Sequence, residues 1–350
     1  MPNPKPLPSA PPRVLIAAGG TAGHVVPALA VAAELSGRGA EVEFAGGDRI
    51  EARLVPEAGY PLHPFEVRGL ERRLSPALAG SAWKAATAPV ACRRIISQVK
   101  PDVVFGAGGY VSGPMLLAAR ASRVPGALLE VDAHMGLANR LAAPLVERVY
   151  LSFPIDGRTG GKYLVTGRPI PAEPADAGEP WEGDVLAFGG SLGATRLNTA
   201  VAPWAGGDLR VLHITGDREY EQYRTLDGDR YRVRAFLPGL RAALRGAALV
   251  VARAGGSIFE VAAAGKPSIL IPSPNVTADH QTANARHLEQ AGAAIVIPDA
   301  ELTPERLDAE VRALLADPER MRRMGEAALA WAKPDAAAVI ADDLLTLHRR

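Results

Sequence analysis

Two short segments carry glycines spaced to bend the chain around a ligand: Gly19-Gly20-Thr21-Ala22-Gly23 and Gly189-Gly190-Ser191-Leu192-Gly193. Each follows an apolar run and precedes a helical pattern. Glycine lets the backbone approach a ligand closely and accepts positive φ. A helix start presents unpaired N–H groups and a positive dipole end, which suit phosphate. A plain tight turn is the bland alternative, and two such turns at equivalent places in the two halves weaken it. Neither segment has the GxGxxG pattern, and neither carries the GK[ST] of a P-loop. Asp48 follows the second apolar run, where a dinucleotide enzyme can hold a ribose. An NAD-type oxidoreductase is therefore one rival.

Against that rival, the most distinctive polar motifs lie in the second half. They are Arg253-Ala254-Gly255-Gly256-Ser257-Ile258-Phe259-Glu260, Pro272-Ser273-Pro274-Asn275, and Asp279-His280-Gln281-Thr282-Ala283-Asn284. Glu260 falls in the first turns of a helix, where a carboxylate can accept two hydrogen bonds from the cis-diol of a ribose. Helix-dipole complementarity is the other explanation for a Glu there. Gln281 and Asn284 begin the next helix, again beside a strand end.

The elements that must position these residues alternate along the chain. Strands are expected at 13–18, 41–45, 102–106, 126–131 and 148–153, then at 184–188, 210–215, 232–236, 248–252, 268–271 and 294–297. Helices fill the gaps, at 27–35, 76–99 and 113–122 among others. Continuous apolar strands with helical crossovers imply parallel sheets covered on both faces. The expected class is α/β, with two Rossmann-like domains facing across a cleft. Residues 1–12 read as a disordered tail and 13–165 as the first domain. The linker spans 166–183 and the second domain 184–332. Residues 333–350 read as a C-terminal helix packing back toward the first domain.

Composition narrows the class. Apolar residues make up 48% of the 350, and the formal charge is +1. No global attraction to nucleic acid follows from that charge. Cys92 is the only cysteine, which excludes an internal disulfide and fits a reducing compartment. No run reaches the ~18 apolar residues of a spanning helix, and the Pro-rich start lacks the apolar core of a signal peptide.

Several segments together resemble the bacterial N-acetylglucosaminyltransferases of glycosyltransferase family 28. They are Gly19-Gly20-Thr21-Ala22-Gly23-His24-Val25-Val26-Pro27, Gly108-Gly109-Tyr110-Val111-Ser112-Gly113-Pro114, Gly189-Gly190-Ser191-Leu192-Gly193-Ala194 and Ser273-Pro274-Asn275-Val276-Thr277. The resemblance runs from about Arg13 to about Leu347. It implies the two-Rossmann GT-B fold and an inverting transfer of N-acetylglucosamine from UDP-GlcNAc to the undecaprenyl-linked N-acetylmuramyl-pentapeptide lipid. It implies no cofactor and no metal ion.

By position, the resemblance implies that Thr21, Ala22 and Gly23 approach the donor's sugar or phosphate. Ser191, Gly193 and the helix start after them would hold the diphosphate. Leu237 would lie near the base, Gly256, Ser257 and Glu260 at the ribose, and Gln281 at the sugar hydroxyls. The chain departs from the family's usual His-Glu-Gln-Asn at Leu129-Glu130-Val131-Asp132, so an amide that binds donor sugar becomes the carboxylate of Asp132. It also departs from Gly-Asn-Pro-Val-Arg at Gly167-Arg168-Pro169-Ile170-Pro171, where a phosphate-binding Arg becomes Pro171. Arg168 is long enough to substitute for it.

His24, at the start of a helix, is the expected general base, because an imidazole titrates near neutral pH. Glu130 and Asp132 are alternatives. A lipid acceptor implies an anionic membrane surface at the cytoplasmic face. The segment Leu70–Ile96, with Arg72, Arg73, Lys84, Arg93 and Arg94 among apolar anchors, suits it. Cell-wall synthesis proteins are possible partners. A transferase of diacylglycerol or secondary metabolites and a non-enzymatic nucleotide-sugar binder are the remaining rivals.

Overall fold

The computed structural model describes residues 10–66, 76–172, 181–190, 193–237, 239–276 and 279–347, with the backbone alone over 76–87. The chain forms two compact units. The first comprises Met1–Pro171 with Pro334–Arg350, and the second Ala172–Lys333.

The first unit runs β1 (Arg13–Ala17), α1 (Ala22–Gly37), β2 (Glu41–Gly46), α2 (Glu51–Glu57), β3 (Leu62–Pro64), α3 (Pro76–Val99), β4 (Val103–Gly106), α4 (Ser112–Ala121), β5 (Gly126–Glu130), α5 (Leu137–Ala142), β6 (Arg148–Leu151) and β7 (Tyr163–Val165). The strands form one parallel sheet in the order β3-β2-β1-β4-β5-β6-β7, with Ile16 opposite Phe44 and Phe105. Side chains alternate along β1 because successive residues face opposite sides. Val14 and Ile16 pack with Val25, Val31 and Leu35 of α1. Leu15 and Ala17 pack with Cys92, Ile96, Met115 and Leu116 of α3 and α4. Both faces are thus covered, which explains the uninterrupted apolar strands.

The second unit runs β8 (Gly183–Phe188), α6 (Thr195–Val201), β9 (Val211–Ile214), α7 (Tyr220–Tyr223), β10 (Tyr231–Arg234), α8 (Leu240–Gly246), β11 (Ala247–Ala252), α9 (Ile258–Ala263), β12 (Ser268–Leu270), α10 (His280–Gln290), β13 (Ala294–Val296), α11 (Pro304–Leu315) and α12 (Pro318–Trp331). Its parallel sheet has the order β10-β9-β8-β11-β12-β13. The order reverses between β8 and β11, and a doubly wound sheet binds its ligand beyond the carboxyl ends at such a point.

Each expected strand forms to within two residues at either end, and β3 and β7 are added at the two edges of the first sheet. The helix expected to open at Pro27 opens at Ala22 instead. Proline at the first helical position is the usual reading, but the extended backbone of Thr21 starts this helix five residues earlier and leaves Pro27 inside it. The first unit also extends past residue 165, since Thr166–Ile170 are buried within it.

The chain returns to the first unit through α13 (Ala336–Leu347). Ile340, Ala341, Leu344 and Leu347 join the core beside α1. Asp343 is the polar anchor. It accepts from Arg148 Nε at 2.8 Å and from the hydroxyl of the fully buried Tyr150 at 2.8 Å. Burial raises the Tyr150 phenol pKa well above its ordinary value, so it stays a donor. Replacing Asp343 with Ala strands both partners and should cost about 3 kcal/mol of the first unit's stability, read as a lower urea midpoint. Asp343→Asn should cost less, because one acceptor remains.

Candidate active site

The first glycine turn leaves β1 at its carboxyl end. Gly20 has φ +94°, open to glycine, and a Cβ there would press on the Tyr110 ring at 3.0 Å. Beneath the turn lies Glu51, which has no solvent exposure. Its carboxylate accepts from the N–H of Gly20 at 3.0 Å and of Gly47 at 3.0 Å. This buried acid went unnoticed in the sequence, where nothing separates it from any other acidic helix start. It also breaks the symmetry of the two turns. The Gly20 N–H is already given to a carboxylate, so the first turn is not a phosphate cradle of the dinucleotide kind.

Thr21 caps α1 with extended backbone and is exposed, as is Gly23, while Ala22 is half-buried. His24 is half-buried, and its ring lies so close to the Gly108–Gly109 backbone that a Cβ at Gly108 would overlap Nδ1. Two glycine-rich segments far apart in sequence thus fix one imidazole.

Glu130 ends β5 and is 4% exposed. Its oxygens accept from Asp132 N at 3.1 Å, Gly136 N at 3.1 Å and Asn139 Nδ2 at 2.8 Å. Burial pushes its carboxyl up to about 7. Expected as an alternative base, it is turned into its own loop and organises residues 131–139. Asp132 is half-buried on that loop. Arg168 was expected to reach a phosphate. Its guanidinium donates instead to Gly23 O at 2.6 Å and to Val131 O at 3.3 Å.

In the second unit, Ser191 lies outside the described residues. Gly193 has φ +77°, and a Cβ on it would run into Thr215 O. The same carbonyl accepts from Asn198 Nδ2 at 2.9 Å, and that amide nitrogen also donates to Glu219 Oε2 at 2.9 Å. Asn198 Oδ1 is therefore the acceptor toward His213 Nε2 at 3.0 Å. This fixes the tautomer: His213 Nδ1 accepts from the Tyr231 hydroxyl at 2.7 Å. Burial lowers the His213 pKa to about 4, so the ring stays neutral. Thr195 at the head of α6 donates to Glu219 as well. A buried polar chain from β10 through β9 to α6 thus sets the second glycine turn.

Gly256 and Ser257 follow β11, and Glu260 lies half-buried in the first turn of α9. Gln281 accepts from Ser273 N at 2.9 Å, and its Nε2 is 3.8 Å from where a Cβ on Gly255 would sit. Asn284, expected at the ligand, is buried and donates inward to Ala254 O at 3.3 Å. Arg253 binds Asp299 at 2.6 Å and donates to Ile271 O and Pro272 O, tying three strand ends together. Leu237 is half-buried, and its neighbour Phe236 presents a ring that is 60% exposed. Of the expected membrane segment 70–96, residues 70–75 lie outside the described residues, 76–87 are described as backbone alone, and 88–96 belong to α3. Among the described residues, no group of three or more His, Cys, Asp and Glu could hold a metal ion.

Two doubly wound units, each with a glycine turn at the carboxyl edge of its sheet, give the GT-B fold of glycosyltransferases. The glycosyltransferase family 28 N-terminal domain matches residues 14–151, and the family's C-terminal domain matches 185–340. The chain belongs to glycosyltransferase family 28. It is 40% identical, over 97% of its length and 98% of the relative's, to a Salinibacter ruber protein named UDP-N-acetylglucosamine--N-acetylmuramyl-(pentapeptide) pyrophosphoryl-undecaprenol N-acetylglucosamine transferase. The Acidithiobacillus ferrooxidans transferase of the same name is 42% identical, over 94% of this chain and 96% of that one. The crystal structure of Acinetobacter baumannii MurG has a TM-score of 0.79 at 31% identity, covering 96% of this chain and all of that one.

Two of the buried titratable groups, Glu130 and His213, give opposite pH dependences. Glu130 titrates above its ordinary 4.5, so its contribution to the first unit is complete below that pH and lost as pH rises through about 7. His213 titrates below its ordinary 6.5, so its contribution is complete above that pH and lost as pH falls through about 4. Each is worth about 3 kcal/mol. Urea midpoints followed across that range should lose the falling slope in Glu130→Gln and the rising slope in His213→Gln.

Proposed function

We propose that this chain transfers N-acetylglucosamine from UDP-GlcNAc to the C4 hydroxyl of the N-acetylmuramyl sugar of lipid I, forming lipid II for peptidoglycan. The observation that carries the reading is the roughly 40% identity, over nearly the whole chain, with transferases named for that reaction. Intact glycine turns in both units support it.

The chemistry divides between the units. In the first, His24 takes the proton of the acceptor hydroxyl as that oxygen attacks the anomeric carbon. In the second, the Gly189–Gly193 turn takes the diphosphate, whose negative charge grows as the bond to the sugar breaks. Glu260 accepts from the ribose hydroxyls. Gln281, held by Ser273 N, presents its amide to the donor sugar. Phe236 offers its exposed face to the uracil, and Leu237 supplies backbone at the base edge. Inversion follows from a single displacement, with UDP leaving opposite the attack. Asp132 stands where the family usually carries an amide that binds the donor sugar.

The acceptor is membrane-bound, and the first unit has a face to meet it. Leu137 and Leu141 lie four residues apart on α5, on one side of the helix, and are 68% and 69% exposed. Leu117 of the neighbouring α4 and Val90 of α3 are exposed too, as are Arg93, Arg94, Arg120 and Arg140 on the same three helices. Exposed apolar anchors and cations on neighbouring helices suit an anionic bilayer surface. No helix among the described residues is long and apolar enough to cross a membrane. Action on a lipid-linked acceptor calls for work at the cytoplasmic membrane face as a peripheral protein.

A product assay with UDP-GlcNAc and a short-chain lipid I analogue tests the reading, and absence of the disaccharide product overturns it. In the same assay His24→Ala should lower kcat by about 10²–10⁴-fold with donor affinity retained. Glu260→Ala should weaken UDP binding by roughly 1.5–3 kcal/mol. Leu137→Ser with Leu141→Ser should reduce binding to anionic vesicles while turnover of a water-soluble acceptor survives.

A further inference from the structure

Pro27 sits at the sixth position of α1. A residue inside a helix donates its N–H to the carbonyl four places back, and proline has no N–H and pushes that carbonyl aside. The carbonyl concerned is that of Gly23, immediately before His24. The turn that carries the proposed base is therefore built with one backbone acceptor lacking its helical donor.

Arg168 supplies the missing donor. Its Nη2 donates to Gly23 O at 2.6 Å, and its Nη1 donates to Val131 O at 3.3 Å. The residue is 8% exposed. One planar guanidinium thus joins the first turn of α1 to the segment that follows β5 and leads into Asp132. A lysine carries a point charge on a flexible stem and cannot reproduce this two-pronged geometry.

We propose that Arg168 is a positioning residue for sugar transfer: by replacing the hydrogen bond that Pro27 removes, it fixes the first turn of α1 and, through it, the His24 imidazole. This inference rests on the transferase reading of the site. It assigns Arg168 to the alignment of the acceptor's base rather than to the donor's diphosphate, because the two nitrogens are engaged by backbone of the first unit.

The test uses the full chain with four variants: Arg168→Met, Arg168→Lys, Pro27→Ala, and Pro27→Ala combined with Arg168→Met. Alanine at position 27 restores a backbone N–H to Gly23 O, so it should make the guanidinium dispensable. Arg168→Met should lower kcat roughly ten- to hundredfold, as expected when a reacting group is misplaced by an ångström or less. The donor KM and the affinities for UDP and for uridine should stay within about twofold. Arg168→Lys, which keeps the charge and is the milder change should Arg168→Met fold poorly, should also lose kcat. The double variant should recover most of the lost kcat, and urea midpoints should show the same non-additivity. Multiplicative kcat losses in the double variant would overturn the proposal. So would an Arg168→Met protein that loses UDP affinity but keeps uridine affinity, since Arg168 would then be a phosphate ligand. If the unaltered chain makes no product, the transferase reading fails instead, and the non-additivity of the urea midpoints still decides whether Arg168 stands in for the Pro27 N–H.

Discussion

Glu51 places a carboxylate with no exposure to water beneath two backbone N–H groups, those of Gly20 and Gly47. A parallel sheet ends all its strands on one edge, where the backbone leaves the ladder and its polar groups need other partners. Buried side chains supply them throughout this protein. Arg168 serves Gly23 and Val131, Glu130 serves Asp132 and Gly136, Arg253 serves Ile271 and Pro272, and Asn284 serves Ala254. These charges and amides shape the loops on which the chemistry depends. Each is costly to strip of its partners because it lies where water does not reach.

The same device makes the two glycine turns unlike. At the first, a carboxylate occupies an N–H that a phosphate would want, and the Tyr110 ring closes over Gly20. At the second, a carbonyl at the end of β9 abuts Gly193, and that carbonyl is held by a hydrogen-bonded chain from Tyr231 through His213 and Asn198, with Glu219 accepting from the same amide.

The alternation of apolar strands and amphipathic helices, and hence two parallel α/β units, was legible in the residues, because strands buried on both faces must be continuously apolar. The glycine turns and the Glu260 helix start were legible for a local reason: their spacing states the backbone conformation they need. The resemblance of the full chain to family 28 rested on those same segments. The roles of Glu51, Asn198, His213 and Arg253 were not legible, because their partners lie far along the chain and their own neighbours carry no signal. Arg168 and Glu130 were visible as candidates, but which way each side chain turns depends on carbonyls and N–H groups that only packing brings near. Pro27 shows the boundary between the two kinds of information. From the sequence alone, a proline near a helix start belongs at its first position. The tertiary structure holds it five residues further in, because a guanidinium from the far end of the same unit can bond the carbonyl that the ring leaves unpaired.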